Sequence, residues 1–96
     1  MLFLVTGRLK PDMDDSIRAL QIEFNEHLAQ PFRRITLAGE LRDREGRRSG
    51  YLAIVEARDF DDALAYLQQS PLYQHGLYDQ TQVAELVPEV GGFGRR

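Results

Sequence analysis

Hydrophobic and polar positions alternate along this chain in two rhythms, one of strands and one of helices. Leu2, Phe3, Leu4 and Val5 form a short apolar run broken at Gly7, which predicts a strand buried on both faces. After Lys10-Pro11-Asp12, the apolar residues Met13, Ile17, Leu20, Phe24 and Leu28 recur every three or four positions, one stripe of an amphipathic helix. Asp12 is its candidate N-cap, Asp14 and Asp15 suit its positive end, and Pro31 stops it. Ile35 to Leu41 predicts a second strand, with Ile35, Leu37, Gly39 and Leu41 on one side and Thr36, Ala38 and Glu40 on the other. The polar, turn-rich stretch from Arg42 to Gly50 joins it to the apolar run from Tyr51 to Ala57, so the two strands form a hairpin. Asp59 then caps a helix from Phe60 to about Gln69, whose Phe60, Ala63, Leu64 and Leu67 share a face and which Pro71 ends. A last strand runs from Tyr78 to Val87. Pro88 and Gly91-Gly92-Phe93-Gly94 predict a flexible tail over 89–96.

The resulting order, βαββαβ, predicts an α+β ferredoxin-like sandwich, an antiparallel sheet with two helices on one face. Two helices cover one face only, yet the first strand is apolar throughout and the third is apolar on both sides, through Leu52 and Ile54 as well as Tyr51, Ala53 and Val55. An exposed apolar sheet face of several hundred Å² is uncommon on a soluble monomer. A second copy packed face to face covers it most simply, closing a barrel-like homodimer. Chain length points the same way: 96 residues hold one domain, assigned to 1–88, with a thin core that gains from a partner subunit.

Composition then removes several classes of function. Twelve basic residues against 15 acidic ones leave a net charge of −3, which is no footprint for a nucleic-acid backbone. An RNA-recognition domain shares the element order, but its stacking platform is incomplete here, because the third strand offers Tyr51 and then Ala53 where a second aromatic is needed. Without cysteine there is no disulfide, thiolate nucleophile or cysteine-bound metal. The two histidines and scattered carboxylates lack a ligand spacing, so no metal is expected, and Gly7, Gly39 and Gly46 make no phosphate loop. Leu2 to Val5 is too short for a signal-peptide core and nothing later approaches a membrane span, so a cytoplasmic protein without membrane association is expected.

His27 is the most informative residue that remains. Three positions after Phe24 and seven after Leu20, it borders the apolar stripe rather than the solvent face, where an imidazole is suited to general acid–base work near neutral pH or to packing at the stripe's edge. His75 precedes Gly76 in a turn, where capping or solvent contact is expected. The charged residues of the hairpin tip alternate in sign and read as a solvated loop. Asp12, Asp14 and Asp15 suit a helix N-terminus on dipole grounds alone.

From His27 onward the chain resembles the YCII-like family of small dimeric α+β barrel proteins. The resemblance runs through His27-Leu28, Ala38-Gly39-Glu40-Leu41, Asp43, Gly46 and Gly50, then Leu52, Ile54, Glu56, Ala57 and Ala63, and finally Ser70-Pro71-Leu72 and Gly76-Leu77-Tyr78. It implies a cleft between the sheet and the first helix that holds a histidine–aspartate dyad. It also implies lyase, dehydrochlorinase or isomerase chemistry on small molecules, without a cofactor. His27 matches the family histidine. Where the family reads Asp-Pro-aromatic, this chain has Ser70-Pro71-Leu72, and a serine supplies a neutral hydrogen bond in place of a charge-assisted one. Glu23 and Glu40 are the carboxylates within sequence reach of replacing it. The resemblance thus nominates His27 and Ser70 as catalytic and Gly39, Glu40, Pro71 and Tyr73 as substrate-binding. Two readings stay open: a homodimeric enzyme using His27 for proton transfer, and a non-catalytic module that binds a small ligand or assembles.

Overall fold

A computed structural model describes residues 1–30 and 34–91. The elements are β1 (Leu2–Leu9), α1 (Asp14–Ala19), α2 (Gln21–Leu28), β2 (Ile35–Arg42), β3 (Arg48–Glu56), α3 (Phe60–Gln68), α4 (Pro71–Gln74) and β4 (Tyr78–Leu86). They form a four-stranded antiparallel sheet in the order β2-β3-β1-β4, the ferredoxin-like arrangement that the patterning predicts. Pro31, the predicted helix stop, and Gly92-Phe93-Gly94 of the predicted tail lie outside the described residues.

Alternation along β1 sets the two faces of the sheet. Phe3, Val5 and Leu9 are buried beneath the helices, whereas Leu2 and Leu4 are half-buried on the opposite face, so within one chain the first strand is sealed on one side only. Register extends that open face across its neighbours: Leu4 lies beside Ile54 and Ala84, and Leu2 beside Leu86. On the helix side the core forms two clusters. Phe3, Val5, Val55, Ala63, Tyr66 and Leu67 make one, beneath α3; Leu9, Ile17, Leu20, Phe24, Leu72 and Leu77 make the other, beneath α1, α2 and α4.

Several local expectations are corrected. Asp12 is not the N-cap of the first helix: its φ is +62°, a left-handed turn conformation that aspartate tolerates better than most residues, and Met13 takes the cap position without a side-chain hydrogen bond. The single predicted helix breaks at Leu20 into α1 and α2. In β2 a register shift between Ile35 and Leu37 inserts one residue opposite Val55 and Ile54, so Ile35 and Ala38 both pack on the core while Leu37 points to the open face. The predicted grouping of Ile35 with Leu37 and Leu41 fails for that reason. Asp59 does cap α3, its carboxylate accepting from the Asp62 N–H at 2.8 Å. On that helix Tyr66 takes the buried place assigned to Leu64 and Phe60, which are 40% and 51% exposed. Pro71 follows the end of α3 but opens α4, where its missing N–H costs nothing at the first helical position.

Candidate functional site

The two core clusters meet around a cavity of about 230 Å³ whose wall includes Val5 and Ala53 from one and Phe24 from the other. Its histidine comes from α2. The His27 side chain is 7% exposed, held there because α2 turns the face bearing Phe24 and His27 toward the sheet. Its ring stacks on Tyr66 of α3, with centroids 4.3 Å apart and planes 24° apart. Phe24 lies nearly parallel on the other side at 6.4 Å and itself meets Tyr51 of β3 at 4.8 Å. Four rings from three elements thus form one wall, in contacts that fix the imidazole plane as well as bury it.

One turn beyond His27, Gln30 holds Nδ1 at 3.0 Å. With the amide nitrogen donating, Nδ1 is an acceptor and the neutral ring carries its proton on Nε2, the state of a proton donor. Turning the amide by half a rotation presents Oε1 instead, which is buried without a partner in the first orientation; Nδ1 then carries the proton and Nε2 becomes basic.

Ser70 and Tyr78 also line the cavity. The Ser70 hydroxyl is buried, lacks a hydrogen-bond partner and makes no cap to α4, although serine at an N-cap ordinarily does so. Tyr78 lies across β1 because residue 7 is glycine: a Cβ there would come within 2.5 Å of the phenol ring. Burial pushes the Tyr78 phenol well above its ordinary pKa, and the neighbouring Ser70 hydroxyl, in a contact too poorly aligned for a regular hydrogen bond, works against that rise. Burial raises the Tyr51 phenol as well, opposed by Arg48. At the edge of the cavity Glu40 is held by Arg42 and, at 3.3 Å, by Arg48, and the Arg42 hydrogen bond chiefly keeps its carboxyl below the usual range.

The raised phenols have a consequence for stability. Tyr78 carries the larger effect: in the unfolded chain it ionises near pH ~10, whereas the folded chain keeps its proton, so stability is fully present below that pH and declines as pH rises above it, by up to about 1.4 kcal/mol per pH unit. The urea midpoint is expected to fall between pH 8 and pH 10.5, and Tyr78→Phe to make that fall shallower. Equal slopes in the two proteins, followed by circular dichroism, would remove Tyr78 from this account.

Of the residues nominated from sequence, His27, Ser70, Gly39 and Glu40 line the cavity, Gly39 with backbone alone, since an added Cβ would meet nothing within 4 Å. Pro71 and Tyr73 do not line it, and Tyr73 is 38% exposed. Glu23 is exposed on α2. Tyr66, Gln30, Tyr51 and Tyr78 are the additions. Tyr66 was marked by its place three residues after Ala63 and next to Leu67, but the face drawn through Phe60 and Leu64 bypassed it. Among the described residues no helix is long and apolar enough to cross a membrane, and no cluster of three metal-type side chains occurs.

The fold recurs in solved structures of the dimeric α+β barrel class. A 5-chloro-2-hydroxyhydroquinone dehydrochlorinase, TftG, from Burkholderia phenoliruptrix AC1100, solved with 2,5-dihydroxybenzoquinone, superposes with a TM-score of 0.80 at 20% identity, over 91% of this chain and 94% of that one. A putative antibiotic biosynthesis monooxygenase from Chloroflexus aurantiacus J-10-fl gives a TM-score of 0.54 at 15% identity, over 98% and 100% of the two chains. Rv0793 from Mycobacterium tuberculosis gives 0.54 at 17%, over 94% and 97%. Among curated proteins none matches the chain in sequence. The YCII-related domain matches residues 1–87, nearly the whole chain, and this protein therefore belongs to the YCII-related family.

Proposed function

We propose that this protein is a small-molecule enzyme in which His27 moves a proton on a single-ring substrate, in a reaction of the isomerase, lyase or dehydrochlorinase type, and that it works as a homodimer joined through the open face of its sheet. The observation that carries this reading is a buried imidazole, stacked on Tyr66 and held at Nδ1 by an amide, in the wall of a partly open cavity. The volume of about 230 Å³ suits one substituted ring, given that a cavity of ~150 Å³ accepts benzene. The ring ligand in the TftG complex supports the same ligand class.

In the proposed step His27 Nε2 takes a proton from a ring carbon next to a carbonyl, and the electron pair passes onto that carbonyl oxygen as an enolate. Returning the proton at another carbon completes an isomerisation; expelling a chloride or other anion from the neighbouring carbon completes an elimination. Neither route changes the overall electron count, so no redox cofactor is called for.

The test is hydrogen exchange in D₂O. Cyclic ketones, lactones and hydroxylated ring compounds incubated with the protein are expected to include at least one that gains deuterium at carbon faster than in buffer, read by proton NMR. A panel that neither exchanges nor raises the melting temperature would overturn the reading. One feature favours a non-catalytic ligand-binding module as the second reading: Ser70 stands where the family resemblance expects an aspartate, and a neutral hydroxyl stabilises an imidazolium less than a carboxylate does.

A further inference from the structure

The cavity has two chemically different ends, and they assign an orientation to what enters it. Apart from His27, the charged side chains lining it among the described residues are Glu40 and Arg48, and these pair with each other at the β2–β3 edge. At the far end, between α4 and β4, Ser70 and Tyr78 are neutral. Ser70 is 3% exposed, and beyond a weak interaction with the Tyr78 phenol its hydroxyl has no hydrogen-bond partner to offset its lost hydration. An alanine would fill the same space without that cost, and an N-cap serine has a local remedy in bonding to α4, which this one does not use.

We propose that Ser70 is the specificity-determining residue of this cavity, a neutral anchor that hydrogen-bonds an uncharged ring oxygen, hydroxyl or carbonyl, at the buried end of the ligand. This rests on the reading of the cavity as a ligand site but not on His27 being catalytic. A carboxylate or phosphate at that end would find no lysine or arginine among the described lining residues beside it, whereas Arg48 lines the other end, so an anionic substituent belongs at the Arg48 end or on another molecule altogether. A hydroxyl or carbonyl, by contrast, completes the one bond that Ser70 lacks. A site built to pair with such a group discriminates strongly against the analogue without it, because the protein's own polar group is then left unpaired.

Phenol and toluene make the sharpest pair of probes, being matched in shape and differing by a hydroxyl for a methyl; benzoate adds the anionic arm. Binding to wild type, S70A and H27Q is followed by ligand-detected NMR and by thermal shift at neutral pH. Wild type is expected to prefer phenol to toluene and to bind benzoate more weakly than phenol. In S70A the phenol-to-toluene preference is expected to shrink by roughly five- to tenfold, the size of one hydrogen bond, and the ligand-free protein to melt about 4–8 °C higher because the orphan hydroxyl is gone. A purely structural serine would not produce that opposed pair of changes. A preference unchanged in S70A, or an S70A protein less stable than wild type, would overturn the proposal. H27Q is expected to keep the preference, so loss of exchange in H27Q with the preference intact leaves Ser70 standing while the His27 chemistry is judged separately.

Discussion

His27→Gln is expected to lower turnover of an exchanging substrate by about 10²–10⁴-fold, the usual worth of a positioned acid–base group, while leaving its binding within a few-fold of wild type. Glutamine matches the imidazole in reach and can still hydrogen-bond Gln30, but it has no group that takes and returns a proton near neutral pH. The substitution also removes the ring stacked at 4.3 Å on Tyr66, and such a contact contributes about 0.5–1.5 kcal/mol beyond simple burial. A modest fall in melting temperature should therefore accompany the loss of rate, and kcat must be measured well below the new transition. The two effects separate cleanly: a folded variant with an unchanged KM and a collapsed kcat identifies proton transfer, whereas a kcat within threefold of wild type would reduce His27 to a packing residue. The second outcome would favour the ligand-binding module, in which the ring serves only to shape the cavity wall.

Much of the fold was legible because period and punctuation agree. Phe3 and Val5 alternate with Leu2 and Leu4 to mark the two faces of β1, and Asp59 ahead of an apolar stripe marks the start of α3; both readings rest on interactions within a few residues of one another. Where the outcome depends on a distant contact, legibility fails. Nothing local in Ile35-Thr36-Leu37 signals the extra residue that turns Ile35 toward the core, because that shift is set by pairing with Val55 and Ile54 in the next strand. Asp12 looks like a cap from its position, but the tight turn from β1 into α1 places it at φ +62° and passes the cap to Met13. The site divides in the same way. His27 was readable from its place at the edge of a stripe, whereas Tyr66 and Tyr78 join it around the cavity only once α3 and β4 are laid beside α2 and β1. Gly7 is the subtlest case: in the sequence it only interrupts an apolar run, and in the fold it makes room for the Tyr78 ring that walls the site.

A lysine placed on the open face of the sheet is expected to abolish self-association. Leu2, Leu4 and Leu52 on the two central strands, with Ala84 and Leu86 on β4 and Leu37 on β2, surround the already buried Ile54 in an apolar face that no helix among the described residues covers. Leu37 is 47% exposed, and Leu4 and Leu52 remain partly accessible. Burying apolar surface is worth about 25 cal/mol per Å², so sealing such a face against a second copy outweighs what a thin core supplies alone. Wild type should therefore sediment at twice the 11.0 kDa chain mass, with a melting temperature that rises with protein concentration. Leu52→Lys is the cleanest probe, because its register neighbours are Thr6 and Gly39 and the new ammonium reaches water easily in a lone chain. For a monomer that change should stay within about 0.5 kcal/mol, as surface substitutions do. In a face-to-face dimer the two-fold axis brings two lysines into a dry interface, where unpaired buried charge costs several kcal/mol. The expected result is a monomeric, folded Leu52→Lys protein whose melting no longer depends on concentration. A wild-type chain that stays monomeric at high concentration would break the case for the homodimer, and so would a Leu52→Lys chain with unchanged dimer mass. His27 and Ser70 lie on the helix side of the sheet, but Leu52 contributes to the wall of the same cavity. Turnover is therefore compared in Leu4→Lys as well, a position on the same face that does not line the cavity; a loss shared by both monomers would report support of the cavity by the partner from behind, through the central strands β1 and β3.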